Sequence, residues 1–139
     1  MSEKASELLA RARAAGVTRF LVPGTTLVDS EAAVELAAAH EDVIAAVGIH
    51  PHEAKDFEPA RDGAAFEALA RRPGVGAIGE VGLDFHYDHS PRPRQIEVLE
   101  WMLDCAGRLR LPVILHNRES GNEMHALLAR RGAGDLLGV

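Results

Sequence analysis

The stretch Gly79-Glu80-Val81-Gly82-Leu83-Asp84, with its counterpart Leu111-Pro112-Val113-Ile114-Leu115-His116-Asn117-Arg118, decides how this chain folds. Each is an apolar run that ends in an acid or a histidine and is followed by a turn and a helical pattern. A strand that stays hydrophobic to its end and then presents a ligand-type side chain is how parallel α/β enzymes place chemistry on the carboxyl rim of a sheet. Glu80 and His116 are therefore the first candidate site residues.

Outward from these two segments the same alternation repeats. Ala5, Leu8, Leu9 and Ala12, spaced i, i+3, i+4, i+7, predict a first helix with Gly16 as its C-terminal cap. Arg19 to Pro23 reads as a short strand with Gly24-Thr25-Thr26 as its exit turn, and Asp29 or Ser30 is expected to cap a helix running to about His40. Val43 to Ile49 reads as a buried strand that leaves through His50-Pro51-His52. Phe66, Leu69 and Ala70 mark a third helix, Gly76 to Leu83 the next strand, and Ile96, Leu99, Leu103 and Ala106 the face of a fourth helix before a strand at Val113 to Leu115. Ser120 with Glu123 three residues on predicts a capping box opening a last helix through Met124, Leu127 and Leu128, and Leu136 to Val139 looks like another strand beginning.

Strands that are apolar throughout and separated by helices predict a parallel sheet buried on both faces. Two architectures share that feature. A doubly wound open sheet gathers its active residues at one switch point, leaving most strand ends chemically quiet. Here the strand ends carry Thr25, then His50 and His52, then Glu80 and Asp84, then His116 and Arg118. A barrel brings all those ends onto one rim, so the expected class is α/β, a partial (β/α) barrel. No linker, low-complexity segment or internal repeat interrupts residues 1–139, which read as a single domain.

At 139 residues the chain can build one core but is well short of the roughly 250 residues of a closed eight-stranded barrel. The single cysteine, Cys105, excludes an internal disulfide, and with no signal-like leader and no run of about 18 apolar residues the expectation is a cytoplasmic protein without a membrane partner. The formal charge of −6 argues against a dedicated nucleic-acid-binding module, yet it is compatible with a nucleic-acid-processing enzyme, because bound divalent cations supply positive charge locally. The pairs Arg71 and Arg72, Arg108 and Arg110, and Arg130 and Arg131 fall where helical patterns end and offset the helix dipole there.

An acid directly after an apolar strand, as at Glu80 between Gly79 and Gly82, is costly unless it meets a cation or a donor. His116 on the neighbouring strand completes an imidazole and carboxylate pair suited to a borderline or hard divalent ion. His50 and His52, held by Pro51, have the residue type to bind metal or phosphate, or a structural role; Asp84 and Arg118 either orient ligands and bind an anionic substrate or form a structural ion pair. The run His86, Tyr87, Asp88, His89 reads as a solvated loop, and Cys105, His40 and His125 as residues of helices without catalytic company.

The segments Ala45 to His52 (A-A-V-G-I-H-P-H), Ala77 to Asp84 (A-I-G-E-V-G-L-D), Arg94-Gln95 and Leu111 to Arg118, with Val17 to Thr25, resemble in order and spacing the TatD family of metal-dependent hydrolases, the TatD-type deoxyribonucleases. The resemblance implies a TIM-like barrel, here about strands two to five with flanking helices, and a centre of one or two divalent ions (Zn, Mg or Mn) that hydrolyses phosphodiester bonds in DNA. It places metal ligands on Glu80, which can bridge two ions, and on His116, and it puts His50, His52 and Arg118 towards substrate. The family's further ligands, a His-x-His pair ending the first strand, a histidine ending the sixth and an aspartate ending the eighth, which is expected to activate water, fall at positions that these residues do not include, so no catalytic residue is assigned. An incomplete domain of this kind is expected to bind metal weakly, to turn over slowly, and to self-associate through open sheet edges. The alternatives are a hydrolase of another ester or amide, and a non-catalytic fragment that acts only through association.

Overall fold

The computed structural model describes residues 3–132 and 137–138. Helices α1 (Glu3–Ala14), α2 (Leu27–Ala39), α3 (Pro59–Ala70), α4 (Arg92–Leu109) and α5 (Gly121–Arg130) alternate with strands β1 (Phe20–Pro23), β2 (Val43–Val47), β3 (Val75–Asp84) and β4 (Val113–Arg118), and a 3₁₀ turn, Pro51–Asp56, follows β2. The strands are parallel and lie in the order β1-β2-β3-β4. That order separates the two architectures. A doubly wound sheet reverses the direction of strand addition at its switch point, whereas each strand here is laid beside the one before, which is how a barrel is wound.

The sheet curls, and the reason is visible at its carboxyl ends. The Glu80 N–H donates to the Gly24 carbonyl at 3.1 Å, so the backbone of β3 reaches the segment leaving β1. Gly48, just past β2, lies between them, and a Cβ there would run into the Gly79 carbonyl group. Gly82 answers a similar need on the other side, since its φ of +154° and the place of a Cβ, which would collide with the His116 carbonyl, exclude a side chain. Glycines at these points bring the strand ends close together, and the result is an arc of barrel with its carboxyl rim drawn inwards.

The β2 side chains are buried on both faces, with Ala45, Ala46 and Val47 fully inaccessible. Val34 of α2, Phe66 of α3 and Leu99, Met102 and Leu103 of α4 pack against Ile78, Val81 and Leu83 of β3 in one apolar cluster. Each such side chain contributes about 1.5–3 kcal/mol of transfer free energy.

Two expected caps differ from the sequence reading. Helix α2 begins earlier, with Thr26 as N-cap accepting from the Asp29 N–H at 3.1 Å, rather than with Asp29 or Ser30. Ser30 is instead buried inside the helix, where its hydroxyl accepts from the Gly48 N–H at 3.1 Å and lies 3.2 Å from the Gly48 carbonyl. Buried main-chain groups at the end of β2 need partners, and that need outweighs the capping preference of serine. At α5, Ser120 does occupy the N-cap, yet no capping-box bond forms. Its hydroxyl is drawn to the Leu83 carbonyl at 3.0 Å and to Asn117 Oδ1 at 2.7 Å, so it ties α5 to the ends of β3 and β4.

The arginine pairs lie at helix ends as expected, with Arg71 and Arg131 at C-caps, Arg110 at another, and Arg108 and Arg130 in last turns. Leu136 and Val139 of the expected last strand lie outside the described residues, but Gly138 forms a parallel bridge to Val113 on the free side of β4. No helix among the described residues is long and apolar enough to cross a membrane.

Candidate metal centre

The carboxyl rim brings three donor side chains to one point. Glu80 comes from the middle of β3, His116 from β4 and His50 from the segment following β2, and one ligand atom from each lies within 4.8 Å of the other two. His116 Nδ1 is 3.0 Å from Glu80 Oε1 and 3.3 Å from His50 Nε2. The two residues that stood out in the sequence thus converge, and His50, read there as a substrate contact, joins them. Glu80 keeps 31% side-chain exposure, so the cluster is open to a ligand from solvent.

Behind the cluster sits Asp84, with its side chain 1% exposed. Its Oδ2 accepts from His52 Nε2 at 2.9 Å and from His116 Nε2 at 3.0 Å, while Oδ1 accepts from the His86 and Tyr87 N–H groups, each at 3.1 Å. Its main chain is held by Gln95, which accepts from the Asp84 N–H at 2.8 Å and donates to the Asp84 carbonyl at 3.1 Å and to the Ser90 carbonyl at 2.8 Å. Burial alone would raise the Asp84 carboxyl; the Tyr87 N–H, His52, His116 and the His86 N–H outweigh it and hold the group well below the usual carboxylate range. The acid is therefore ionised and fully engaged.

With one proton on each ring, the contacts fit a single arrangement. The His116 Nε2–H donates to Asp84, and the Nδ1 lone pair is then directed at Glu80 and His50. His50 Nδ1 accepts from the His52 N–H at 3.2 Å, so its single proton lies on Nε2 and points to His116 Nδ1. Burial, followed by the neighbouring His116 and His52, pushes His50 down to about 4, and it is a neutral imidazole at neutral pH.

The donor set suits a divalent cation on this geometry. A His116 lone pair facing a carboxylate oxygen at 3.0 Å is repulsive unless a proton or a cation lies between them. Two neutral imidazoles with one carboxylate supply the mixed nitrogen and oxygen donors that zinc and manganese accept, and the ion's charge relieves the contact. For His50 to serve as a donor through Nε2, its proton would have to lie on Nδ1, and the 3.2 Å contact with the His52 N–H would then give way.

The remaining candidates fall around this centre. Arg118 forms no ion pair with Asp84; its guanidinium lies 4.6 Å from the centre of the Tyr87 ring. The loop His86 to His89 is exposed as expected, but it is pinned to Asp84 at its start. Cys105 is buried in α4 and pushed by burial up to about 11, an inert thiol. His125 is exposed on α5, and His40 closes α2. Sequence reasoning did not anticipate what Gln95 does. The signal was its presence on the apolar side of α4, where it is 1% exposed and a polar residue needs a buried partner.

A singly wound parallel barrel arc with imidazole and carboxylate side chains on its carboxyl rim is the architecture on which barrel-type metal-dependent hydrolases are built. The family model described as TatD related DNase matches residues 1–139, and the chain belongs to the TatD family. It is 40% identical over 122 residues, 88% of this chain and 46% of the relative, to the 3'-5' ssDNA/RNA exonuclease TatD of Klebsiella pneumoniae. It is 35% identical over 133 residues, 96% of this chain and 52% of the relative, to the uncharacterized metal-dependent hydrolase YabD of Bacillus subtilis. Among solved structures, the TatD homolog YJJV of Escherichia coli superposes with a TM-score of 0.81 at 34% identity, covering 91% of this chain and 49% of that one. A TatD family hydrolase of Entamoeba histolytica superposes with a TM-score of 0.88 over 99% of this chain and 49% of that one, a likeness of fold alone at 21% identity. The chain spans about half the length of the curated relatives it matches.

Proposed function

We propose that this chain takes part in metal-dependent hydrolysis of phosphodiester bonds in single-stranded nucleic acid, with His50, Glu80 and His116 as the metal donors. The observation that supports this reading most directly is the convergence of those three side chains within 4.8 Å on an exposed rim. The similarity to 3'-5' ssDNA/RNA exonucleases supplies the substrate class. When bound, a divalent ion polarises a phosphoryl oxygen and makes water acidic enough to attack at neutral pH.

The chain's own residues have separate tasks. Asp84 orients His116 and His52 and does not serve as the water-activating base, because both its oxygens are already shared between two donors. His52, whose ring lies 4.4 Å from that of His50, and Arg118, whose guanidinium lies over Tyr87 in the exposed loop, are assigned to the phosphate backbone of the substrate. With His50 counted as a third donor, metal is expected to bind more tightly than two ligands would hold it, since catalytic zinc sites usually have three protein ligands.

The test is Mn²⁺-dependent shortening of a labelled single strand by the 139-residue chain. Activity is expected to vanish in both Glu80→Ala and His116→Ala and on chelation; shortening that survives either substitution would rule out the proposed centre.

The same reading extends to self-association. Among the described residues β1 is paired only with β2, and Leu21 in β1 is 52% exposed. An unpaired strand edge with an apolar side chain on it recruits further strands. The polypeptide of residues 1–139 made alone is expected to sediment as dimers or larger species that increase with concentration. A single concentration-independent monomer peak would remove the expectation.

A further inference from the structure

A continuous ladder of aromatic rings begins at the metal centre and ends in solvent. His116 lies 4.5 Å from His50, and His50 lies 4.4 Å from His52. His52 is 4.6 Å from His89, and His89 stacks on Tyr87 at 5.4 Å with the planes 13° apart. The inner contacts are edge to face; the outermost pair is parallel, and there the ladder meets water, with Tyr87 51% exposed. The Arg118 guanidinium already lies over the Tyr87 ring at 4.6 Å, so that ring attracts a planar, electron-poor group.

A surface tyrosine covered by an arginine is common, and two features argue for more here. First, the ring is held out by a fixed backbone. The Tyr87 N–H is bonded to the buried Asp84, Ser90 donates to the His52 carbonyl at 2.8 Å, and Arg92 reaches the Phe85 carbonyl at 3.1 Å. Second, Arg118 has no ion-pair partner among the described residues, although the chain carries a net charge of −6 and the adjacent Glu119 pairs with His86 at 2.8 Å. An exposed aromatic ring on a rigid loop beside an uncommitted guanidinium matches the two parts of a single-strand binding site, a stacking surface and a backbone cation.

We infer that Tyr87, with His89 stacked on it and Arg118 across it, is a stacking subsite for a nucleobase of single-stranded nucleic acid. The choice of ligand rests on the function proposed above; the subsite itself goes beyond it. The base takes the place of the guanidinium on the ring, and Arg118, so released, pairs with a backbone phosphate. Ring centres at 5.8 Å from Tyr87 to His52 and 6.2 Å from His52 to His116 put the platform within a nucleotide's reach of the metal donors. A strand whose phosphate sits at His50, Glu80 and His116 therefore lays a neighbouring base against Tyr87. Stacking is tolerant of base identity, so the subsite favours unpaired over paired strands without selecting a sequence.

The experiment is fluorescence anisotropy of the 139-residue chain with labelled octathymidylate, and with the same strand made abasic, in buffer containing EDTA so that no metal is required. Tyr87→Ala is expected to weaken octathymidylate binding about tenfold and to leave the weaker abasic binding unchanged, and Tyr87→Trp is expected to restore the difference. An equal loss on both strands, a change of less than twofold in Tyr87→Ala, failure of Tyr87→Trp to rescue, or no octathymidylate binding by the unaltered chain would each overturn the inference. Mn²⁺ calorimetry run in parallel keeps the two readings apart: a chain that prefers bases through Tyr87 but binds no Mn²⁺ retains this subsite and loses the proposed metal centre.

Discussion

Replacing Glu80 with glutamine is expected to lower the affinity of the chain for Mn²⁺ or Zn²⁺ by more than the roughly 10–100-fold that loss of an outer-shell partner costs. Glu80 is the one carboxylate of the proposed donor set, and its Oε1 lies 3.0 Å from His116 Nδ1. The amide keeps the shape but carries no charge, so two imidazoles are left to hold a divalent ion, fewer than the three ligands a catalytic zinc usually has. His50→Ala tests the same centre from the other side and is expected to weaken binding comparably, because the sequence reading without His50 leaves only a pair of ligands. The folded state should tolerate both changes, since Glu80 and His50 are partly exposed. Isothermal titration with each metal decides the matter. If both variants bind as the unaltered chain does, the ion is held elsewhere and the proposed centre is wrong.

The Asp84→Asn variant is expected to lose about 10–100-fold in metal affinity without losing a single metal donor. The argument is one of protons. One oxygen of the side chain must go on accepting from the His86 and Tyr87 N–H groups, which turns the new amide N–H₂ towards His52 Nε2 and His116 Nε2. Both rings then have to accept there and carry their protons on Nδ1. On His116 that proton occupies the lone pair meant for the ion. The same logic makes an orienting aspartate indispensable to a catalytic histidine elsewhere, where the amide variant keeps the geometry and fixes the wrong tautomer. Nitrogen-15 shifts of the imidazoles report which nitrogen is protonated, a readout that a merely structural role for Asp84 would leave unmoved. Unchanged His116 tautomer in a folded Asp84→Asn protein would refute the assignment. A changed tautomer with unchanged metal affinity would show instead that His116 is not a donor.

The parts of the fold legible in the sequence were those written locally. Apolar runs between helical periodicities located the four strands of the sheet to within three residues at each end and marked all five helices, though of α3 only its last turns were legible. Glu80 and His116 were legible for the same reason, since a ligand-type side chain at the end of such a run is a local anomaly. The helix caps were less so. Thr26, Ser30 and Ser120 all have capping chemistry, and which hydroxyl caps and which braces the rim depends on buried carbonyls and N–H groups at Gly48 and Leu83, far along the chain.

Periodicity and strand-end chemistry are properties of neighbouring residues, so an α/β chain of parallel strands with ligand-type residues at their carboxyl ends could be read directly from the order of the amino acids. Which of those residues meet emerged from the folded arrangement. His50 and His116 meet across 66 residues of sequence, and Asp84 reaches His52 and His116 across 32 each, so neither the donor set nor the orienting acid has a local signature. Gln95 looked like an ordinary polar residue of a helix until α4 was laid against β3 and its amide closed on the Asp84 main chain. The curl that draws these groups to one rim comes from close backbone approach at Gly48 and Gly82, and a glycine's lack of a side chain acquires that meaning only when another strand occupies the space.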